Sequence, residues 1–260
     1  MQHKCKNQKR PIGIYGLTVT YNNRPILYNI NCEIPKGKMI GLIGPNGGGK
    51  STFIKCIMGL IKIDDGSISI FGNSVKKSIM RISYVPQRES VDWDFPINVY
   101  DVVMMGRYGY MGIGRRPKQQ DHIIVKASLK RVNLLSLQKR QISQLSGGQQ
   151  QRVFLARALA QNSDLYLMDE PFAGIDVATE SAIIAVLQEL KNKGKTILIV
   201  HHDLTTARQY FDMLMLLNIR LIAFGSTSQI FTYPLLQKTY EGKLGILSEI
   251  TNFISKNEKF

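Results

Sequence analysis

The amino-acid sequence predicts an α/β protein with a mostly parallel sheet, antiparallel strands near the N-terminus and an inserted helical subdomain. Two patterns lead to this prediction. Short apolar segments alternate along the chain with segments of helical periodicity, and several of the apolar segments lack polar positions, as strands buried on both faces do. The central part of the chain instead has helical periodicity and little strand signal.

The predicted strands are short and rich in apolar residues, and they lie at residues 14–21, 39–44, 67–71, 82–86, 165–169 and 196–200. The first of them ends in a turn cluster at residues 22–25. One predicted helix follows the second strand and ends near Gly59, and another occupies residues 178–190, with its apolar residues at helical spacing. The stretch from about 97 to 162 is the predicted helical subdomain, inserted between two strands of the α/β core.

The length of 260 residues allows one large domain. We assign residues 12–235 to a single domain, residues 1–11 to a basic N-terminal extension and residues 236–260 to a C-terminal tail without a recognisable motif. No internal repeat or low-complexity linker divides the chain.

Positive charge is concentrated in two segments. The chain has 34 Lys and Arg against 19 Asp and Glu, a net charge of +15. Residues 1–10 contribute +4, and residues 96–160 contribute +9, from eleven basic residues against Asp101 and Asp121. The central segment has two interpretations that stay open, a solvated helical face or a surface beside an anionic membrane leaflet.

Cysteine usage and hydropathy exclude several classes of protein. The three cysteines form no CxxC pair, which excludes a disulfide scaffold and predicts a reduced, cytosolic protein. The four histidines lack metal-ligand spacing, so we predict no zinc site. The longest apolar stretch, residues 213–224, is interrupted by Asn218 and Arg220 and is too short to span a bilayer. Any association with a membrane is therefore expected to be peripheral.

The strongest chemical signal is a glycine-rich turn between a predicted strand and a predicted helix. It fits GxxxxGK[ST], in which glycines let backbone N–H groups approach phosphate oxygens and the lysine reaches the β- and γ-phosphates. Gly48 adds a third glycine before Lys50 and is expected to loosen the turn. The pattern predicts a P-loop ATPase core whose nucleotide-binding residues include Gly44, Pro45, Asn46, Gly47, Gly48, Gly49, Lys50, Ser51 and Thr52.

Two further segments carry groups suited to phosphate chemistry. Asp169 and Glu170 end the strand at 165–169, where Asp169 would hold Mg²⁺ through water and Glu170 would polarise an attacking water. The alternative is that they merely terminate a strand in solvent. Ser146, Gly147, Gly148 and Gln149 open a helix and would form a second anion site, the alternative being an ordinary serine cap.

The order of these motifs resembles the ATPase subunit of an ATP-binding cassette (ABC) transporter. The phosphate loop is followed by LSGGQ after 92 residues, then by the Asp-Glu pair and by a histidine after the strand at 196–200. The resemblance covers about residues 12–230 and implies an ABC nucleotide-binding domain that uses ATP and Mg²⁺.

The resemblance also implies roles for single residues. It assigns Gln87 to a loop that senses Mg²⁺ and the permease, Asp176 to the D-loop, and His202 to a contact with the γ-phosphate. Tyr21 would stack on adenine, unless it is only a strand aromatic. The implied catalytic residues are Lys50, Gln87, Glu170 and His202, and the implied Mg²⁺ ligands are Ser51, Gln87 and Asp169. His201 is expected to be a packed or solvated neighbour.

In the family that the chain resembles, two subunits pack head to tail, and each nucleotide lies between one chain's phosphate loop and the other chain's signature serine. The resemblance therefore implies a homodimer that closes on ATP, here with Ser146 acting across the interface. It also implies two membrane permease subunits and a solute-binding protein as partners, peripheral location at the cytoplasmic face of the inner membrane, and no nucleic-acid partner.

A narrower resemblance concerns the transported cargo. Residues 86–112, together with GPNGGGKST and VHHDL, are similar to the ATPases of manganese, zinc or iron importers. Trp93 and Phe95 would pack against the permease, or alternatively within the helical subdomain. Uptake of an iron-siderophore or haem stays open, as does a DNA-associated cassette ATPase, although the chain shows no long coiled coil or zinc module between the phosphate loop and LSGGQ.

Overall fold

The computed structural model describes residues 11–112 and 114–240, which form two compact units. The first unit contains residues 11–79 and 196–240, and the second contains residues 80–112 and 114–195. The basic segment predicted at residues 1–10 and the greater part of the predicted tail, residues 241–260, lie outside the described residues.

The first unit begins with an antiparallel sheet whose strand order is β2-β1-β4-β5. Strand β1 pairs with both β2 and β4, and the β1–β2 hairpin turns at Asn22 and Asn23, which have positive φ values of 50° and 59°. Asparagine tolerates this conformation better than most residues, and such a turn suits a tight hairpin. The strands are β1 (Ile12–Tyr21), β2 (Arg24–Ile34), β4 (Asp65–Ile70) and β5 (Asn73–Ser74).

A second sheet of the first unit contains the strand that leads into the phosphate loop. Strand β3 is buried at all five positions and pairs in parallel with β8 on one side and β9 on the other, and β10 continues the sheet antiparallel to β9. Such uniform burial explains why the segment has no polar alternation. The strands are β3 (Met39–Ile43), β8 (Thr196–Val200), β9 (Met213–Asn218) and β10 (Arg220–Ser226).

The helices of the first unit are short. Helix α1 leaves the phosphate loop with Phe53, Ile54 and Ile57 fully buried. These helices are α1 (Lys50–Ile57), α2 (Val75–Ser78), α8 (Leu204–Tyr210), α9 (Thr227–Ile230) and α10 (Tyr233–Thr239).

The second unit combines two parallel strands with most of the helical residues. Strand β6 (Ile82–Val85) pairs in parallel with β7 (Leu165–Asp169). The helical stretch predicted at about 97–162 lies within this unit, where α6 packs against α3 and α5. The helices are α3 (Val99–Met104), α4 (Tyr108–Met111), α5 (Gln119–Arg131), α6 (Gly147–Gln161) and α7 (Val177–Asn192).

The structure confirms the predicted α/β class, with an antiparallel sheet near the N-terminus and parallel strand pairs after it. The apolar stretch at residues 213–224 is a strand pair, because the chain reverses at Ile219 with a φ of 59°. Among residues 11–112 and 114–240, no helix combines the length and the apolar character needed to cross a bilayer.

Candidate functional site

The phosphate loop connects the buried strand β3 to helix α1, and the packing of its glycines explains their positions. A Cβ added at Gly44 would lie 1.9 Å from the Leu217 carbonyl oxygen. Gly49 has a φ of 90°, and a Cβ there would lie 2.7 Å from the Ile26 carbonyl oxygen. Neither position has room for a side chain, so the loop backbone lies directly against β9 and β2.

Gly48 is held at both of its backbone groups. Its N–H donates to the Pro45 carbonyl at 3.0 Å, and its own carbonyl accepts from the Ile219 N–H at 3.0 Å. The expectation that a third glycine loosens the turn is therefore wrong for the main chain, because these two bonds anchor Gly48. Gly47, by contrast, has a φ of 80° and no neighbour within 4 Å of an added Cβ.

Lys50 lies at the first position of α1 and is only 6% exposed. Its ammonium group donates to the carbonyl oxygens of Gly44 and Pro45, both at 2.9 Å. The ammonium group is thereby held over the loop whose N–H groups are suited to phosphate oxygens. Ser51 and Thr52 follow in the first turn of α1 and are partly exposed.

Tyr21 ends strand β1, and its side chain is 70% exposed. The preceding residue, Thr20, is fixed by Asp64, whose carboxylate accepts from the Thr20 N–H at 2.6 Å and from its hydroxyl at 2.8 Å. Because β2 of the same hairpin contacts the phosphate loop at Gly49, the exposed ring belongs to an element anchored on that loop.

The two adjacent histidines have different environments. His201 is 2% exposed, its Nε2 lies 2.8 Å from the Thr206 hydroxyl, and its ring packs edge-on against Phe211. Burial lowers the pKa of the His201 imidazole to about 4, so this ring is neutral near pH 7. His202 is exposed and follows at the end of β8. The structure thus shows His201 as a packed neighbour and leaves the His202 side chain accessible.

In the second unit, the structure brings Gln87 and Glu170 together. The Gln87 amide donates to Glu170 Oε2 at 3.4 Å. Glu170 has a φ of 50°, a left-handed conformation that is unfavourable for a residue other than glycine and that is typical of functional sites. Asp169, by contrast, is 2% exposed at the end of β7, where its charge helps raise the pKa of Tyr84, after the larger effect of burial.

The predicted signature residues form the first turn of α6. The Ser146 hydroxyl accepts from the Gln149 N–H at 3.4 Å, while Gln149 Oε1 accepts from the Ser146 N–H at 3.0 Å. This reciprocal arrangement is a capping box. Since the hydroxyl oxygen acts as the acceptor, the Ser146 O–H stays available as a donor, and Gly147 and Gly148 keep the turn half-exposed.

Asp176, for which the resemblance implies a place in the D-loop, caps a helix in the structure. It is the N-cap of α7, where its carboxylate accepts from the Thr179 N–H at 2.9 Å and from the Thr179 hydroxyl at 2.7 Å. The hydrogen bonds from Thr179 lower the pKa of the Asp176 carboxyl, so the group is ionised at neutral pH.

The aromatic residues after Gln87 differ in their packing. Trp93 is half-buried and packs edge-on against Phe154 of α6, with ring centroids 5.3 Å apart. Phe95 is 56% exposed. Arg88 belongs to none of the sequence motifs, yet its guanidinium contacts both Gln150 and Gly147. No signal in a single sequence pairs residues that lie 59 and 62 positions apart in this way.

In the part of the chain that the structure describes, no group of three or more His, Cys, Asp and Glu side chains is arranged to hold a metal ion. Cys32 and Cys56 are free and buried, and burial raises the pKa of the Cys32 thiol to about 12.

A phosphate loop at a buried strand, a capped LSGGQ helix and a strand ending in Asp-Glu define an ATPase of the cassette class. A family model described as "ABC transporter" matches residues 27–173, and the chain belongs to this family. It is accordingly an ATP-binding ABC ATPase with the nucleotide-binding domain fold of that family. This confirms the family, the fold and the ATPase activity predicted from the motifs.

The chain is similar over most of its length to several ATP-binding proteins of metal transport systems. It is 58% identical to the manganese transport system ATP-binding protein MntB of Bacillus subtilis, over 92% of this chain and 96% of the relative. It is 50% identical to the zinc transport system ATP-binding protein TroB of Treponema pallidum, over 90% and 88% of the two chains. Identity to the manganese transport system ATP-binding protein MntA of Synechocystis is 48%, over 89% and 90%.

Solved structures support the same fold. A putative metal-chelate type ABC transporter in an inward-facing conformation aligns with a TM-score of 0.79 at 27% identity, covering 89% of this chain and 88% of that one. A nucleotide-free ATP-binding cassette of an ABC transporter aligns with a TM-score of 0.78 at 25% identity, covering 90% and 100%.

Proposed function

We propose that this chain is the ATP-hydrolysing subunit of an importer for a divalent metal ion, with manganese or zinc as the cargo and iron as a further candidate. The observation that carries the proposal is the identity of 48–58% to relatives named for manganese and zinc transport, over about nine-tenths of the chain. The metal is the transported substrate, and this subunit supplies energy from ATP.

The groups proposed to bind the phosphates and the adenine of ATP lie in the first unit. The N–H groups of the phosphate loop and the Lys50 ammonium would hold the β- and γ-phosphates, and the exposed Tyr21 ring would cover the adenine. Support comes from the close packing of Gly44 and Gly49, which fixes the loop backbone, and from the two hydrogen bonds that orient Lys50.

The oxygen ligands proposed for Mg²⁺ suit that ion. Ser51 offers a hydroxyl, Asp169 a carboxylate and Gln87 an amide oxygen, and Mg²⁺ prefers such hard oxygen ligands, with water completing its shell. When bound, the ion would neutralise charge on the phosphate oxygens. The buried position of Asp169, at 2% exposure, supports this role because a buried carboxylate favours a cationic neighbour.

Glu170 is proposed as the group that polarises the attacking water. Its left-handed backbone and the hydrogen bond that it accepts from Gln87 support this role. His202 would contact the γ-phosphate, and its exposed side chain is consistent with that role.

We further propose that two copies pack head to tail, so that Ser146 of one copy completes the nucleotide site of the other, with Asp176 at the contact between them. The available O–H of Ser146 and the glycines that follow it support an anion site at the start of α6. In the full system, the dimer would bind two permease subunits, through which it is held at the inner face of the membrane, and a solute-binding protein would deliver the metal.

Uptake of manganese, zinc and iron in competition tests the cargo. Proteoliposomes that contain the complete complex and trapped ATP should accumulate manganese or zinc in preference to iron, and Glu170→Gln should reduce uptake at least about 100-fold, because general-base catalysis typically contributes that much. Uptake that is equal with the wild type and with Glu170→Gln, or that is absent for all three metals, would contradict the proposal.

A second candidate is uptake of a metal chelate, which the likeness to the putative metal-chelate type transporter favours. That likeness is at 27% identity, well below the identity to the manganese and zinc relatives. Accumulation of an iron-siderophore or haem in place of the free ions would favour this candidate.

A further inference from the structure

Arg88 directly follows Gln87 in the chain and contacts the first turn of α6. Its Nε donates to Gln150 Oε1 at 3.0 Å. A Cβ added at Gly147 would lie 3.0 Å from Arg88 Cζ and 3.1 Å from Nη1, so the guanidinium packs directly against the glycine. The arginine therefore lies beside the turn that Ser146 caps.

Gln150 and Arg88 each make a further hydrogen bond. Gln150 is 4% exposed, and its Nε2 donates to the Ile142 carbonyl, just before the signature motif, at 3.2 Å. The Arg88 carbonyl accepts from Trp93 Nε1 at 2.8 Å, and Trp93 packs on Phe154 of α6. A displacement of the loop after Gln87 would therefore move the start of α6 with it.

The charge of Arg88 matters as well as its hydrogen bonds. A cation near a helix N-terminus opposes the helix dipole, and this unfavourable interaction is offset when an anion binds at the same turn. A guanidinium beside Gly147 is thus suited to an anionic partner, such as the γ-phosphate of a nucleotide, brought to Ser146.

We propose that Arg88 is a positioning residue that links the Gln87 loop to the signature turn and strengthens capture of the γ-phosphate presented by a second copy of the chain. The inference rests on the proposed head-to-tail dimer. Since Gln87 also donates to Glu170, the same loop joins the group proposed to polarise water to the turn that completes the partner's site.

ATP-dependent dimerisation of a Glu170→Gln parent, measured by sedimentation, tests the role of Arg88. Adding Arg88→Gln should raise the ATP concentration for half-maximal dimerisation about tenfold, equivalent to about 1.4 kcal/mol. The affinity of the dilute monomer for a fluorescent ATP analogue should stay unchanged, because the phosphate loop is intact. Arg116→Gln, which removes an exposed arginine of the same unit, should leave the dimerisation midpoint unchanged.

Gln150→Met provides a second variant, which keeps the arginine charge and removes both the acceptor of Arg88 and the Gln150 bond to the Ile142 carbonyl. It should shift the midpoint in the same direction by about threefold, because Arg88 loses its hydrogen bond to α6. An unchanged midpoint with both Arg88→Gln and Gln150→Met overturns the inference, as does an equal loss of monomer affinity for the analogue. A Glu170→Gln parent that stays monomeric with ATP overturns the proposed dimer itself, so the two failures are distinguishable.

Discussion

At the scale of single residues, His201 and His202 show how neighbours of the same type acquire different chemistry. His201 is enclosed by the first unit and bonded to Thr206, whereas His202 is exposed at the strand end. The order of the motifs identified His202 as the candidate for the γ-phosphate contact. A single sequence does not show which of the two imidazoles is buried. The difference has a consequence for stability in acid.

His201 should make the protein less stable as the pH falls from 6.5 towards 4. In this range the imidazole of the unfolded chain takes up a proton, while burial keeps the folded imidazole neutral down to about pH 4. The stabilising contribution is therefore complete above pH 6.5 and is lost towards pH 4, by up to about 3 kcal/mol.

Urea unfolding at several pH values measures this contribution. His201→Gln should lose less stability on acidification than the wild type, because it removes the buried imidazole. Parallel curves for the wild type and His201→Gln would exclude burial of His201 as a source of acid sensitivity.

At the scale of elements, helix α6 combines a structural cap with a proposed phosphate contact at the same residue. The capping box satisfies N–H groups at the start of the helix through the Ser146 oxygen, which acts as an acceptor. The Ser146 O–H therefore stays available to donate to a phosphate. Substitutions that keep the cap but change the charge separate the two roles.

Ser146→Asn and Ser146→Asp should both keep the stability of the wild type within about 0.5 kcal/mol, because Asn and Asp cap helices about as well as Ser. Ser146→Asp should lower ATPase activity at least about tenfold more than Ser146→Asn, because a carboxylate repels the incoming phosphate. Thermal unfolding and steady-state hydrolysis measure the two effects. Equal activity of the two variants would contradict a phosphate contact at this position.

The elements that the sequence predicted best are the strands that are buried on both faces. Buried strands such as β3, β7 and β8 were predicted within a residue or two, because a two-sided environment leaves only apolar residues. Strand β2 was not predicted, since its buried and exposed positions do not alternate regularly. The β9–β10 pair was seen only as an apolar stretch, because its reversal at Ile219 uses no glycine or proline.

The parts of the candidate site that form continuous motifs were predictable from the sequence, and the contacts between distant residues were not. The phosphate loop, the LSGGQ helix and the Asp-Glu strand end are local motifs, so sequence order alone identifies them. The contact of Arg88 with Gln150 and the cap made by Asp176 depend on where side chains point after folding, and no local pattern shows them.

At the scale of the whole molecule, each unit carries part of the proposed chemistry. The first unit has the phosphate loop, Tyr21 and His202, and the second has Gln87, Glu170 and the signature turn at Ser146. The chain has one phosphate loop and one LSGGQ motif. The proposed head-to-tail dimer would pair each loop with the other copy's signature, giving two identical sites related by two-fold symmetry.

Mixing two inactive variants tests this shared site most directly. Lys50→Ala removes the phosphate-loop lysine and Ser146→Asp disables the signature, so each variant alone should hydrolyse almost no ATP. In a mixed dimer, the Lys50 of one copy meets the Ser146 of the other, which restores one intact site of two. An equimolar mixture should therefore recover about a quarter of the wild-type rate, since half of the dimers are mixed. A mixture that stays as inactive as its components would show that both groups act within one chain and would contradict the shared site.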